Sequence, residues 1–167
     1  QDLSNGNFVM GLFDYPNSSE MAQRMLDEFT FLGDATEEDW ACIRQHVETK
    51  QFGAGEKLIR YGEIDTSFFI LTEGTVEIVI EQPDGEPHVL SNIPKGSVFG
   101  EIAFFDGQPR SATILSRVQG SALKISRQSF ETLVESHPKV ANMILFDLSR
   151  ILALRLRWTT VISQHLV

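Results

Sequence analysis

The central part of the chain, from Thr49 to about Arg127, consists of short apolar or alternating runs separated by glycine, proline and aspartate. Runs of this kind predict β-strands, and strands without helices between them indicate an antiparallel barrel, roll or sandwich. The sequence Pro83-Asp84-Gly85-Glu86 between two runs predicts a hairpin turn. The predicted strands are Leu58 to Arg60, Ser67 to Leu71, Thr75 to Glu81, His88 to Ile93, Ser111 to Ser116 and Ala122 to Ser126.

Two helical patterns precede the strands and follow residues 1–17, which have no clear period. Ser18 or Ser19 is predicted to cap a helix that runs to about Phe29, since apolar residues recur there at helical spacing. Thr36, with an acidic residue three positions on, predicts a second capped helix. The apolar positions are Met21, Met25, Leu26 and Phe29 in the first helix, and Trp40, Ile43 and Val47 in the second.

Helical spacing returns after the strands. Residues 127–135 predict a short helix, and a long helix is predicted from Pro138 to about His165. The apolar residues of the long helix cover more than one narrow stripe, so one face can pack on the strands while another pairs with a second copy. The pattern therefore predicts a homodimer that forms through the C-terminal helix.

These elements predict an α+β fold in which an antiparallel barrel, roll or sandwich is flanked by N-terminal helices and a long C-terminal helix. A length of 167 residues fits about one domain. The predicted divisions are residues 1–48 for the N-terminal extension and helices, 49–127 for the β-roll, and 128–167 for the C-terminal lid and dimerisation helices.

The composition and charge of the chain limit the classes of partner and the compartment that we expect. A net charge of −9 argues against a nucleic-acid-binding surface, which needs clustered Lys and Arg. No apolar run approaches the ~18 residues of a membrane span. The single Cys42 excludes an internal disulfide and suits a reducing compartment, so a cytoplasmic protein is expected. The chain begins at Gln1 rather than Met, as expected of a processed chain or a piece of a longer one.

The candidate chemistry lies in residues 99–113, Phe-Gly-Glu-Ile-Ala-Phe-Phe-Asp-Gly-Gln-Pro-Arg-Ser-Ala-Thr. Gly100 leaves room for a ligand beside the main chain. The next residues, to Phe104, predict one helical turn whose first N–H groups favour an anion. Arg110 supplies a charged planar fork that suits phosphate oxygens. Glu101 has the wrong charge for phosphate, so we expect it to accept a hydrogen bond from a hydroxyl group.

This segment resembles the phosphate-binding cassette of the cyclic nucleotide-binding domain family, whose pattern is Phe-Gly-Glu, an apolar pair, then Pro-Arg-x-Ala. The resemblance extends from about Phe52 to Ile125 and implies that the strands form an antiparallel β-roll, of the double-stranded β-helix or jelly-roll kind. It implies that Glu101 holds the ribose 2′-hydroxyl and that Arg110 pairs with the cyclic phosphate. The ligand-binding residues that it implies are Phe99, Gly100, Glu101, Ile102, Ala103, Pro109, Arg110, Ser111, Ala112 and Thr113, with the N–H groups around Ile102 and Ala103 completing the phosphate cradle.

The resemblance also bears on the base. Family members selective for cyclic GMP often have a threonine after the arginine, whereas Ser111 at that position is similar to the bacterial catabolite activator protein. The nine-residue spacing from Glu101 to Arg110 is similar to the regulatory subunit of protein kinase A. Both comparisons favour cyclic AMP as the ligand and leave cyclic GMP open.

Many members of the family close a C-terminal helix over the base. Arg155, Arg157 and Trp158 lie where such a lid is expected, and Trp or Arg can stack on a purine. The same residues also fit another interpretation, in which Trp158 belongs to the core or a dimer interface and the arginines form a solvated face. The hinge of such a helix is expected near Ser136 to Pro138.

No catalytic constellation is present in the sequence, so we expect a regulatory domain without cofactor rather than an enzyme. The four histidines are scattered, with no two at metal-ligand spacing. Several alternatives stay open: a pairing of Glu101 with Arg110 that only stabilises the fold, a ligand-free scaffold or dimerisation module, the sensor half of a transcription regulator, and an appendage of a transporter, channel or enzyme.

Overall fold

The computed structural model describes residues 24–83, 85 and 87–164. Within those residues it contains eight strands and four helices with defined ends. Residues 24–28 are also helical. The strands are β1 Glu48–Phe52, β2 Lys57–Ile59, β3 Phe68–Glu73, β4 Val76–Glu81, β5 Pro87–Ile93, β6 Val98–Phe99, β7 Thr113–Ser116 and β8 Gly120–Ile125. The helices are α1 Glu37–Arg44, α2 Glu101–Asp106, α3 Arg127–Ser136 and α4 Pro138–Gln164.

The eight strands form two four-stranded sheets, in the orders β1-β8-β3-β6 and β2-β7-β4-β5. Every pair of neighbours is antiparallel. The predicted α+β fold with an antiparallel β-roll, flanking helices and a long C-terminal helix is confirmed. The cap predicted at Ser18 or Ser19, together with Met21, lies outside the described residues, as do Asp84 and Glu86 of the predicted hairpin turn.

Two strands were missing from the sequence-based prediction. Strand β1 reads Glu-Thr-Lys-Gln-Phe, and only its last residue, Phe52, is buried, so no alternation of apolar and polar residues marks it. Strand β6 has two residues, both buried, which is too short for any period to show. Strand β1 forms by pairing with β8, and β6 forms by pairing with β3. Such tertiary contacts override the local sequence pattern.

The apolar strand β3 separates two cores. Successive side chains of a strand point to opposite faces. Phe68 and Ile70 therefore face the helices, in a cluster with Phe104, Phe130 and the buried side of α4. Phe69 and Leu71 face the other sheet, where Phe69 stacks on Phe99 with the ring centroids 4.9 Å apart. This explains why the continuous run Phe-Phe-Ile-Leu is buried on both faces.

The predicted cap of α1 is present as a capping box. Thr36 Oγ1 accepts a hydrogen bond from Asp39 N at 3.1 Å, and Asp39 Oδ2 accepts one from Thr36 N at 2.9 Å. This reciprocal arrangement satisfies two main-chain donors that the helix leaves without intrahelical partners.

The chain before α1 is attached to both the β-roll and α4. Phe31 N donates to Gly96 O at 2.8 Å, in the turn between β5 and β6. Leu32 has a positive φ of 56°, and its N–H donates to the buried Asp147 Oδ2 at 2.7 Å. These two contacts fix the chain beside α4 and the β5–β6 turn. No helix in the described part of the chain is long and apolar enough to cross a membrane.

Candidate functional site

A cavity of about 310 Å³ lies between the β-roll, α2 and α4. Its apolar wall comes mainly from the sheet that contains β4 and β5, and its polar groups come from the segment 99–113 and from α4. The helical segment 24–28 completes the wall through Leu26 and Asp27. The apolar wall includes Ile59, Ile78, Leu90, Ile93 and Ile114.

Helix α2 begins at a glycine that no other residue can replace easily. Gly100 has a φ of 80°, in the left-handed region that strains residues with a Cβ. A Cβ there would lie 2.8 Å from Arg110 Nη1 and 3.2 Å from Ser67 O. No side chain caps the six-residue helix at its start, so its first N–H groups depend on another acceptor. Gly107, also left-handed, ends the helix.

Arg110 is the buried cation of the cavity, with 3% of its surface exposed. Nη1 donates to Gly100 O at 2.7 Å, and Nη2 donates to Ser67 O at 2.7 Å and to Asp65 Oδ2 at 3.0 Å. Its Nε is buried and has no hydrogen-bond partner in the part of the chain that the structure describes. Because a buried donor without an acceptor is unfavourable, an acceptor in the cavity would stabilise this arginine.

Asp65 balances the charge of Arg110 from the loop between β2 and β3. Burial by itself would raise the pKa of Asp65, but hydrogen bonds from Ser67 N and Oγ and the positive charges of Arg110 and Lys124 hold that pKa below its usual value. Lys124 Nζ lies 3.9 Å from Asp65 Oδ2. Asp65 therefore remains a carboxylate at neutral pH, and it fixes the direction of the guanidinium.

Glu101 forms an ion pair with a residue of the C-terminal helix. The Glu101 side chain is 4% exposed, and Oε1 accepts a hydrogen bond from Arg155 Nη1. Arg155 Nη2 donates to Val98 O at 2.5 Å. The pairing of Glu101 with Arg110 that the sequence left open does not occur in the structure, because each of the two residues has another ionic partner.

The structure brings most of the predicted site residues to the cavity. Arg155 and Trp158 line it, and Trp158 is half-buried there rather than in the core. Arg157 is exposed and does not line the cavity, and neither do Pro109 and Thr113. The Thr113 hydroxyl instead accepts a hydrogen bond from Tyr61 N at 3.0 Å. The predicted residues of the segment that line the cavity are Phe99, Gly100, Glu101, Ile102, Ala103, Arg110, Ser111 and Ala112.

Sequence reasoning did not find the partners of Arg110 or the N-terminal part of the cavity wall. Asp65 precedes Arg110 by 45 positions, and nothing in its local sequence marks it as a partner. Leu26 and Asp27 follow an ordinary helical pattern and reach the cavity only because the chain around Phe31 and Leu32 is attached to the β-roll and α4.

The site can bind an anion, a hydroxyl group and an apolar ring in one cavity. Arg110 and the start of α2 suit the anion, Glu101 suits the hydroxyl, and the isoleucine-rich wall suits the ring. Among the described residues, no three His, Cys, Asp or Glu side chains are grouped as metal ligands.

A β-roll that places a glycine-initiated helix and a buried arginine around an internal cavity defines a small-ligand-binding domain. The sequence of residues 49–137, more than half of the chain, matches the cyclic nucleotide-binding domain. The chain belongs to the cyclic nucleotide-binding domain family. The resemblance drawn from the segment 99–113 is therefore confirmed.

Two relatives share this region. The chain is 27% identical over 114 residues to a cAMP-dependent protein kinase regulatory subunit of Blastocladiella emersonii, covering 68% of this chain and 28% of that protein. It is 26% identical over 119 residues to a CRP-like cAMP-activated global transcriptional regulator of Mycobacterium tuberculosis, covering 71% of this chain and 51% of that protein. The chain thus matches about a quarter to a half of the length of these relatives.

A solved structure shows the same fold. The crystal structure of a cyclic nucleotide-binding domain from Methylobacillus flagellatus KT aligns with a TM-score of 0.69 and 20% identity, covering 84% of this chain and 81% of that chain.

Proposed function

We propose that this domain binds one cyclic purine mononucleotide in the 310 Å³ cavity, with cyclic AMP preferred over cyclic GMP. The observation that carries the proposal is the buried Arg110 Nε without a partner among the described residues, beside the uncapped start of α2. A cyclic phosphate supplies the missing acceptor and takes the N–H groups around Ile102 and Ala103 as donors.

The other parts of the nucleotide have matching groups. Glu101 accepts the hydrogen bond of the ribose 2′-hydroxyl, since a carboxylate is an acceptor only. The base lies against the apolar wall that includes Ile78 and Leu90, and Trp158 covers it by stacking. Ser111 lies at the cavity with its hydroxyl available to phosphate or base, whereas Arg157 takes no part.

The preference for cyclic AMP is supported by two features. Ser111 stands where cyclic GMP-selective members of the family often have threonine. Both relatives described above are named for cAMP. Serine hydrogen-bonds either purine, so the preference is expected to be modest and cyclic GMP remains a ligand at higher concentration.

Occupancy of the cavity is proposed to move α4. Residues Arg155 and Trp158 place this helix directly on the site. Helices α3 and α4 are joined at His137, whose backbone (φ −137°, ψ 65°) is not helical and can act as the hinge. A ligand shifts α4 only as far as it binds one helix position more tightly than another.

The proposal does not specify which process the domain regulates. One relative is a kinase regulatory subunit and the other a transcription regulator, so we propose a sensor role without choosing between these outputs. The alternative is a scaffold of the same fold that binds no nucleotide.

Isothermal titration of nucleotide-stripped protein with cyclic AMP and then cyclic GMP tests the proposal. We expect one site per chain, micromolar or tighter affinity, and tighter binding of cyclic AMP.

Arg110→Ala should weaken binding by roughly two to three orders of magnitude, because removal of one partner of a buried charged contact costs about 2–5 kcal/mol. Arg117→Ala, an exposed arginine paired with Glu77, is the control.

Folded protein that gives no heat with either nucleotide would support the scaffold alternative. A loss below about fivefold in Arg110→Ala would remove this arginine from the phosphate site.

A further inference from the structure

One wall of the cavity comes from a part of the chain that lies outside the matched family region. The match to the cyclic nucleotide-binding domain begins at residue 49, whereas Leu26 and Asp27 line the cavity. Both belong to residues 24–32, the wall segment. No residue that the family resemblance assigns to the ligand belongs to the wall segment, so the part it plays at the site has to be argued from its own contacts.

The wall segment runs antiparallel to α4. Leu32 N donates to Asp147 Oδ2 at 2.7 Å, and the Arg150 guanidinium carbon lies 5.2 Å from the centroid of the Phe29 ring. Residues that come earlier in the wall segment therefore lie opposite residues that come later in α4. This order brings Leu26 to the part of α4 that covers the cavity, and Leu26 lines the cavity there.

The wall segment is also attached to the β-roll, at the end of the cavity away from Arg110. Phe31 N donates to Gly96 O at 2.8 Å, and Gly96 N donates to Leu71 O at 2.8 Å, near the end of β3. Arg110 Nη2 donates to Ser67 O at 2.7 Å, directly before the start of β3. The four residue steps from Ser67 to Leu71 span about 13 Å of extended chain, so Arg110 and the wall segment approach the cavity from opposite ends.

Leu26 is held by the core and meets the cavity at the same time. Phe29, three positions later on the same helical face, is 8% exposed and belongs to the core cluster against which Leu26 packs. Met25, in contrast, is 47% exposed and does not line the cavity. Displacement of Leu26 by a ligand would remove apolar surface from the core, so Leu26 resists it.

We infer that Leu26 closes the base end of the cavity and limits the size of the purine edge that the site accepts. The inference rests on the proposed function, in which the phosphate meets Arg110 and the base lies under Trp158. With the phosphate at the Arg110 end, the edge of the base that is remote from the ribose points to the wall segment. In adenine that edge carries the 6-amino group, so Leu26 admits a free amino group and excludes bulky substituents on it.

A packed apolar wall tolerates little added volume, because extra groups force neighbouring side chains and backbone to shift. The 8 position of the purine is on the five-membered ring, next to the bond to the ribose, and so lies away from the wall segment. A substituent at the 8 position should therefore not meet Leu26. The two positions of one base thus separate the effect of Leu26 from a general effect on binding.

The test uses three nucleotides: cyclic AMP, its 6-benzylamino analogue and its 8-benzylamino analogue. Each is titrated calorimetrically into the wild type and into Leu26→Ala. We expect the wild type to bind the 6-benzylamino analogue about tenfold or more weakly than cyclic AMP. In Leu26→Ala the two affinities should differ by less than about threefold, because the truncated side chain leaves space for the substituent. The ratio of the 8-benzylamino analogue to cyclic AMP should change by less than about twofold.

Met25→Ala is the matched control, because Met25 is an apolar residue of the wall segment that does not line the cavity. It should leave all three affinities unchanged. Leu26→Val is the second variant if the alanine variant does not fold, with a smaller change in the same direction.

Two results would overturn the inference. One is a wild type that binds the 6-benzylamino analogue as tightly as cyclic AMP, since Leu26 would then not limit this edge. The other is an equal change of both analogues in Leu26→Ala, since the effect would then not be local to the 6-amino group. Failure of the proposed function is distinguishable, because cyclic AMP itself would then give no heat with the wild type.

Methyl NMR of the wild type reports the contact directly. The ring current of a bound purine should shift the Leu26 methyl resonances on saturation with cyclic AMP, and the Met25 methyl resonance should shift much less. Leu26 methyl resonances that stay unchanged while cyclic AMP binds would show that the base does not reach the wall segment.

Discussion

At the scale of single residues, the site depends on groups that are held in place by several contacts each. The Arg110 guanidinium has three acceptors, Gly100 O, Ser67 O and Asp65, that leave its Nε without a partner among the described residues. Because these contacts already hold the Arg110 side chain, ligand binding costs less side-chain conformational entropy. Gly100 is part of the same arrangement, because the arginine lies where a side chain at that position would be.

Substitution of Gly100 should therefore harm both folding and the site. We expect Gly100→Ala to lower the free energy of unfolding by more than Gly55→Ala, measured by urea denaturation. Both glycines have a φ near 80°, so both variants carry a backbone strain of about 1–2 kcal/mol. Only at Gly100 does the added Cβ meet other atoms, since nothing lies within 4 Å at Gly55. Equal losses in the two variants would contradict the close packing of Arg110 on Gly100.

The carboxylate of Asp65 should make the fold sensitive to acid. Burial opposes its charge, but the hydrogen bonds from Ser67 and the charge of Arg110 leave the folded-state pKa of Asp65 below its unfolded value of about 3.9. Its contribution to stability is therefore present above pH 4 and is lost as the pH falls through the folded-state pKa.

Asp65→Asn should therefore lower the free energy of unfolding most near neutral pH. Below pH 4 the free energy of unfolding of the variant should fall less steeply than that of the wild type. Urea denaturation of both proteins from pH 3 to pH 7 measures this. A constant difference between the two curves over this range would show that Asp65 contributes nothing through its charge.

At the scale of elements, α4 is the point where the site, the core and the chain before α1 meet. Its buried side includes Ile144, Leu148 and Ile151, and further along the same helix Arg155 reaches Glu101. Asp147, between these residues, accepts the hydrogen bond of Leu32 N. A movement of α4 would therefore also act on the residues before α1, including those that line the cavity.

Removal of the Asp147 carboxylate should loosen this connection. We expect Asp147→Ala to lower the free energy of unfolding by about 1–3 kcal/mol, because the Leu32 N–H is left without its acceptor. Chemical denaturation measures the loss, and Asn142→Ala, at an exposed position of the same helix, is the control. A variant as stable as the control would mean that water replaces the carboxylate at Leu32 without loss.

At the scale of the whole molecule, α4 presents a stripe of exposed residues away from the core, three of which are apolar. The stripe consists of exposed residues at alternating spacings of three and four, the spacing of a coiled-coil seam. Phe146 and Leu156 are each 68% exposed, so the largest apolar side chains of the stripe face solvent. We propose that a second copy of the chain covers this stripe in a parallel or antiparallel pair. Its members are Phe146, Ser149, Ala153, Leu156 and Thr160.

A charge in the stripe should prevent this association. Sedimentation equilibrium is expected to give a dimer for the wild type and a monomer for Leu156→Glu, since the new carboxylate would be desolvated in the interface. Val134→Glu is the matched control, because Val134 is an exposed apolar residue of α3 outside the stripe. A monomeric wild type, with and without cyclic AMP, would reject the homodimer.

Much of the fold followed from local signals. The alternation of β4, the capping pair Thr36 and Asp39, and the helical spacing after Pro138 each predicted an element that the structure contains. Strands β1 and β6 could not be predicted, because their form depends on partner strands rather than on their own period. The difference is physical, since propensity and periodicity act within a few residues and pairing acts across the chain.

The sequence by itself determined the candidate ligand-binding segment, because Gly100, Glu101 and Arg110 lie within eleven residues and their chemistry does not depend on distant neighbours. Only the tertiary structure decided how those charges are satisfied. Asp65 reaches Arg110 and Arg155 reaches Glu101 across separations of 45 and 54 positions. Burial makes each charge require a partner, but which residue supplies it is set by how the sheets and α4 pack, and no local pattern records that choice.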